Sequence, residues 1–344
     1  MNAEILYLIS FFAALLFSYA ATPLCRYAAI KLNIMDNPVT EVKTHKKSTP
    51  YLGGIAIAAG WAVSLFIIRF ATHFPDGTLR SLRGVLYGSA IVMALGFIDD
   101  KKYKGLGFKL KFLIQIAAAA IVVFGFDIRI NFIQVYWISC AVSIFWIVGV
   151  TNAFNIIDIM DGLSSGIAFI ASLAFLFISL PTEMLYVNFC AIALAGAILG
   201  FMPFNLSKSK KIFMGDTGSL FIGFILASLA MGTSFTTVSE IGLFAPILIL
   251  AAPLYETFLV SALRLSKGKS PFLGSKDHYA LRLEKMGFSR KQILLITYAV
   301  CVIFALCAYL LTAISAVYSL LIFSFVLMFL WAASIKLATV NIDS

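Results

Sequence analysis

Charge is what this sequence has least of. Only 12% of its 344 residues are Asp, Glu, Lys or Arg, while 61% are hydrophobic. Soluble domains carry about 25% charged residues, so an ordinary water-facing surface is excluded. Acidic residues are scarcer still, 16 against 26 basic ones, and the net charge is +10. That balance does not point to nucleic acid, and none is expected as a partner. The basic residues sit in short loops between apolar runs, where they set orientation and attract anionic lipid. Cysteine is sparse as well. Cys25, Cys140, Cys190, Cys301 and Cys307 lie in or beside apolar runs and form no CxxC pair, so they read as small buried residues rather than metal ligands. The first apolar run, 5–21, has no positive segment before it and no small-residue cleavage site after it. It reads as a retained helix rather than a signal peptide.

What is present in abundance is apolar runs of about 20 residues, each long enough to cross a hydrocarbon core. The expected fold is all-α, a polytopic membrane helical bundle forming one domain over 1–344. Eleven spans are expected, at 4–22, 52–71, 84–98, 108–126, 133–154, 164–180, 184–204, 218–236, 241–263, 291–313 and 315–336. Alternation gathers the loops 23–51, 99–107, 155–163, 205–217 and 264–290, with the C-terminal tail, on one side. All the Lys and Arg except Arg69, Arg80, Arg83 and Arg129 fall on that side. The excess assigns it to the cytoplasm and puts the N-terminus outside. Asp99, Asp100, Asp158, Asp161, Asp216 and Asp277 share the basic side. Chemistry is therefore expected at the inner face of the membrane, on an anionic substrate.

The centre of this pattern is 151–166, TNAFNIIDIMDGLSSG, which carries Asn152, Asn155, Asp158 and Asp161 at three-residue intervals at the end of an apolar run. Polar groups there are costly and mark a functional site by default, although headgroups could also wet such a helix end. Asp99 and Asp100 end the third run. Adjacent carboxylates repel unless a cation stands near, and Lys101, Lys102 and Lys104 follow; a solvated turn is the alternative. Lys111 and Gln115 open the next run. In 205–219, NLSKSKKIFMGDTGS, the Gly215-Asp216-Thr217-Gly218-Ser219 segment begins a span. Its backbone N–H groups could meet a phosphate and Asp216 a divalent ion, or the segment could be an ordinary cap. The first loop contains a basic knot, His45-Lys46-Lys47. Residues 277–287 fit a short amphipathic helix with Tyr279, Leu283 and Met286 turned to lipid.

Taken in order, the Asp99-Asp100 pair, the Asn152–Asp161 element and the Gly215–Ser219 loop resemble the polyprenyl-phosphate N-acetylhexosamine-1-phosphate transferases, the family of bacterial WecA, TagO and MraY. The likeness runs from Asp36 to about Gln292, and the eleven-span plan matches the WecA/TagO branch. The first loop also fits, from Asp36-x-Pro38 through His45 to Pro50-x-x-Gly53-Gly54. The resemblance implies transfer of an N-acetylhexosamine 1-phosphate, most often GlcNAc 1-phosphate, from its UDP-sugar to a polyprenyl phosphate in the bacterial inner membrane. UMP is released. It implies Mg²⁺, with Mn²⁺ as a substitute, and leaves a homodimer open. Asp216 matches the metal ligand, and Asp99 and Asp100 the base or auxiliary metal pair. Because the lipid phosphate is largely ionised already, positioning and metal binding suit that pair better than proton removal. Phe213 matches an aromatic under uracil and Asp161 the uridine pocket. Asn152, Asn155 and catalytic Asp158 match the polar wall near the metal, and Lys111 a phosphate contact. His45 and His278 match substrate-binding positions.

Two positions depart from the family pattern. Ile159 replaces the first glycine of DGxDG, and after His278 the further histidines of the late loop are missing. Arg282 is the expected replacement for their positive charge. Two other readings compete: a transporter or flippase of lipid-linked or anionic substrates, and an inactive scaffold relative.

Overall fold

The computed structural model describes residues 3–37, 48–102, 105–182, 184–233, 235–236, 238–272 and 275–342. It is an all-helical bundle with one small hairpin. In chain order the helices are α1 (Ala3–Lys31), α2 (Gly53–Ala71), α3 (Asp76–Lys101), α4 (Phe108–Ala120), α5 (Tyr136–Ile157), α6 (Leu163–Ser179), α7 (Leu185–Asn205), α8 (Gly215–Gly232), α9 (Ala245–Ile249), α10 (Ala251–Ser266), α11 (Tyr279–Lys285), α12 (Arg290–Ala313) and α13 (Ala316–Ala338). Strands β1 (Met35–Asp36) and β2 (Thr49–Pro50) pair antiparallel. Among the described residues ten helices are long and apolar enough to cross a membrane, and α9 with α10, a pair bent by 70°, would make an eleventh if they form one broken span. The protein is a multi-pass membrane protein.

Helices α7 and α8 form the centre, enclosed on nearly every side, while α13 stands at the rim with Leu321, Phe325 and Trp331 facing outward. Small residues let the central helices touch. A Cβ on Gly54 of α2 would lie 2.2 Å from the backbone nitrogen of Gly218 in α8, so these two helices meet backbone to backbone, as membrane helices do where Gly replaces a side chain. Buried polar groups help to join the helices: the Trp61 indole donates to the Cys190 carbonyl at 3.1 Å, and Ser10 and Ser64 share a hydrogen bond at 2.8 Å.

Two expected boundaries are corrected. The first helix does not stop at 22 but continues to Lys31, carrying Pro23 within it. The span expected at 241–263 is broken at Leu250. Pro253 has no N–H to return to the carbonyl four residues earlier, so the ladder cannot pass through this point. Helix α10 leaves at a steep angle and carries its lower end toward the charged end of the bundle.

Candidate active site

One end of the bundle gathers the polar residues. The last turn of α5 and the connection after it, the segment before α8 with its first residues, the loop after α10, and residues of β1, the β2–α2 connection, α7, α11 and α12 line a cavity of about 240 Å³. Asp36, Tyr51, Asn155, Asp158, Asp161, Lys211, Phe213, Asp216, Ser275, His278 and Arg290 are among its lining residues.

The start of α8 is its fixed point. Gly215 has a φ of +70°, and a Cβ there would lie 2.4 Å from Asp100 Oδ2, so the turn needs a glycine. Asp100 reaches across from α3 and caps α8. Its Oδ1 accepts from the Asp216 N–H at 2.9 Å, and its Oδ2 accepts from the Thr217 N–H at 3.0 Å and hydroxyl at 2.6 Å. A helix leaves its first N–H groups unsatisfied, and here a carboxylate from another helix satisfies two of them. The chain before α8 is stitched to the entry of α2: the Phe213 N–H donates to the Pro50 carbonyl at 2.9 Å, the Gly53 N–H to the Phe213 carbonyl at 2.9 Å and the Gly54 N–H to the Met214 carbonyl at 3.0 Å. The Pro50–Gly54 segment and the Gly215–Ser219 turn, far apart in sequence, are thus one unit.

Around that unit the charges interlock. Lys111 Nζ lies 2.6 Å from Asp216 Oδ2 and 2.8 Å from Asp99 Oδ2, bridging the two carboxylates. Asn155 donates to Asp216 Oδ1 at 2.8 Å and to the Ser219 hydroxyl at 3.0 Å. Asp99 also accepts from the Leu106 N–H at 2.5 Å. Lys211 meets Asp161 at 2.6 Å and lies over the Phe213 ring at 5.2 Å. Asp158 reaches the cavity. Burial pushes its carboxyl well above the usual range, and Asp216, Asp161 and Asp100 add to the shift. Carboxyl groups crowd one another here, so a further cation would favour the ionised form of Asp158.

Asn155, Asp158, Asp161, Phe213, Asp216 and His278 line the cavity together; Lys111, paired with Asp216 and Asp99, stands with Asp99 beside that set without lining it, and three further residues are placed elsewhere. His45 lies outside the described residues. Asn152 faces Gln115, donating to its Oε1 at 2.5 Å, rather than the cavity. Asp100 caps α8 as described and does not line the cavity. Arg282 does not supply charge to the pocket. Its guanidinium is 1% exposed and donates to the Leu337 carbonyl at 2.8 Å, the Val340 carbonyl at 2.6 Å and Asp277 Oδ1 at 2.8 Å, tying α11 to the end of α13. Tyr279, expected against lipid, is buried with its hydroxyl 3.1 Å from Thr297. Sequence reasoning missed Tyr51, Lys211, Ser275 and Arg290 as lining residues. Lys211 and Tyr51 had a signal, since each is two residues from a chosen motif position; Arg290 had none beyond its place at a helix start.

The fit to a divalent cation follows from the donors. They are carboxylate and amide oxygens, suited to a hard ion such as Mg²⁺. Among the described residues no three His, Cys, Asp or Glu side chains stand close enough to hold a metal alone. Mg²⁺ sites commonly use one or two carboxylates and take their remaining ligands from water and substrate phosphates. Asp216 with Asp158 meets that requirement.

A membrane bundle with its carboxylates, lysines and a lining aromatic at one end of the spans is built as an enzyme for charged substrates at the membrane surface. Residues 82–234 match the family model described as Glycosyl transferase family 4. A Bacillus subtilis protein named "Probable undecaprenyl-phosphate N-acetylglucosaminyl 1-phosphate transferase" is 29% identical over 331 residues, covering 94% of this chain and 89% of its own. The decaprenyl-phosphate N-acetylglucosaminephosphotransferase of Mycobacterium tuberculosis is 31% identical over 317 residues, covering 83% and 77%. A phospho-N-acetylmuramoyl-pentapeptide-transferase of Listeria monocytogenes is 34% identical over 209 residues, covering 55% and 63%. The chain belongs to glycosyl transferase family 4, as the sequence motifs lead one to expect.

Proposed function

We propose that this protein transfers an N-acetylhexosamine 1-phosphate, GlcNAc 1-phosphate in the simplest case, from its UDP-sugar to undecaprenyl phosphate at the cytoplasmic face of a bacterial inner membrane. UMP leaves and a lipid-linked sugar diphosphate remains. The observation that carries this reading is the carboxylate–lysine clamp at the start of α8: Asp216 held by Lys111 and Asn155, beside a cavity that contains Asp158, Asp161 and Phe213.

Two polyanions must meet for the reaction to occur. Phe213 offers a ring face for the uracil, and Lys211, which pairs with Asp161 over that ring, exchanges this pairing for a contact to the nucleotide. Asp161 lies beside them to receive uridine donors. Asp216 and Asp158 would hold Mg²⁺, which neutralises diphosphate charge when bound. Lys111, paired with Asp216 and Asp99, contributes positive charge to the phosphoryl oxygens as the transition state forms. The lipid phosphate oxygen attacks the β-phosphorus, and the bond from that phosphorus to the UMP oxygen breaks. The attacking phosphate is already largely ionised near neutral pH, so no side chain need remove a proton. Asp99 then serves to hold Lys111, and Asp100 to hold α8.

Purified protein with undecaprenyl phosphate, Mg²⁺ and a panel of UDP-N-acetylhexosamines should release UMP with one donor and none in EDTA. Folded protein that releases no UMP with any donor overturns the proposal. A transporter would carry its ionisable groups near the bilayer midplane; the site carboxylates sit at helix ends instead.

A further inference from the structure

Glu256 is the anomaly of the broken span. It lies in α10 with 0% exposure, where an unpaired carboxylate is costly. Both of its oxygens point to one loop. Oε1 is 2.7 Å from His278 Nδ1, and Oε2 accepts from the Tyr279 N–H at 3.1 Å. His278 is itself 7% exposed, yet it lines the cavity that contains Asp158 and Asp216. The backbone on either side of the imidazole is fixed too. Asp277 is bound by Lys267 at 2.9 Å and Arg282 at 2.8 Å, and the Tyr279 hydroxyl meets Thr297. The bend at Leu250 is what allows this. A straight span would keep Glu256 aligned with its upper half, whereas the turned α10 brings it under the loop.

From this geometry we infer that Glu256 is a positioning residue for His278. A carboxylate can only accept, so the proton of the neutral imidazole is held at Nδ1 and the ring is oriented with Nε2 toward the cavity. Nε2 is then the ring atom left for the nucleotide sugar. A carboxylate behind a working histidine fixes both its tautomer and its orientation, and loss of such a partner commonly costs about 10–100-fold in function. The inference rests on the proposed transferase reading for the identity of the ligand, and on the structure alone for the geometry of the pair.

The test uses the full-length protein in nanodiscs with two readouts. The chain has only three histidines, so the ¹⁵N imidazole signals of His278 can be assigned by their loss in His278→Ala. Wild type should show a protonated Nδ1, and Glu256→Gln and Glu256→Ala should alter that signal. In UMP release, Glu256→Gln should lower kcat/KM about 10–100-fold. The double variant Glu256→Gln/His278→Ala should be no slower than His278→Ala alone, because Glu256 acts only through the ring. Unchanged His278 signals in folded Glu256→Gln, or losses that multiply in the double variant, overturn the inference. If wild type releases no UMP with any donor, the transferase reading fails, while the ¹⁵N signals still decide whether Glu256 sets the ring.

Discussion

At the scale of single residues, Asp216 at the start of α8 and Asp100 at the end of α3 do different work although the Asp216 N–H donates to Asp100. Asp216 faces the cavity and shares Lys111 with Asp99. Asp100 spends its oxygens on the N–H groups and hydroxyl of the α8 start. Asp216→Asn should therefore abolish Mg²⁺-dependent UMP release while a fluorescence melt still shows a folded protein. Asp100→Ala should instead appear first as lost stability. Removing a capping side chain costs about 1 kcal/mol, and three α8 donors lose their partner at once, so the melting temperature should fall by a few degrees. If Asp100→Ala leaves the melting temperature unchanged and abolishes only metal dependence, the capping account is wrong. The sequence could show that both aspartates matter. It could not show how Asp100 uses its oxygens, because the Asp99-Asp100 pair at a helix end looks the same whether it meets a metal or another helix.

At the scale of elements, what was legible follows from how strongly each pattern constrains the chain. Polar residues at the end of a long apolar run have few places to go, so Asp99, Lys111, Asn155, Asp158, Asp161 and Asp216 stood out from the pattern, whereas Phe213 came only from the family resemblance. Short elements gave less. On α11 the difference between Leu281 and His278 at the cavity and Arg282 buried behind them is one residue of rotation. The break at Leu250 was hidden because apolar residues flank it on both sides. The late loop also carries a pH dependence. Burial alone would raise the Asp277 carboxyl, but Lys267 and Arg282 more than offset this and hold it below the usual carboxylate range. A carboxyl depressed in the folded state stabilises it at any pH above the unfolded value, near 4, and loses that contribution as pH falls through the folded value. The melting temperature of Asp277→Asn should thus be lower than wild type at pH 7, with the gap closing in acid. A gap that persists unchanged below pH 3 would mean the ion pairs are not its source. Packing gives a second test. A Cβ on Gly54 meets the backbone of α8, not a side chain that can rotate away. Gly54→Ala should separate α2 from α8 and the Gly215 turn, and reduce both yield of folded protein and UMP release.

At the scale of the whole molecule, the distribution of charge decides which way the bundle faces, and with it which substrates the site can meet. Among the described residues, Arg69, Arg80, Arg83 and Arg129 are the Lys and Arg that lie toward the end remote from the cavity. Arg129 is tied there to Asp127 at 2.8 Å, and Arg80 to the Gly125 carbonyl at 3.2 Å. The other described Lys and Arg lie toward the cavity end, together with the end of α13 that Arg282 clasps. Translocation retains Lys and Arg in short loops on the cytoplasmic side, so the cavity and the C-terminus should share the cytoplasm and the start of α1 should lie outside. A nucleotide sugar is made in the cytoplasm and cannot cross the membrane unaided, so the transferase reading requires this same orientation. A green fluorescent protein fused after Ser344 should fluoresce, since it matures in the cytoplasm. An alkaline phosphatase fused in the 127–135 connection, which works only outside, should be active, and one fused in 205–214 should not. The reverse pattern would place the carboxylate cluster outside the cell, away from the nucleotide pool, and the transferase reading would fall together with the topology.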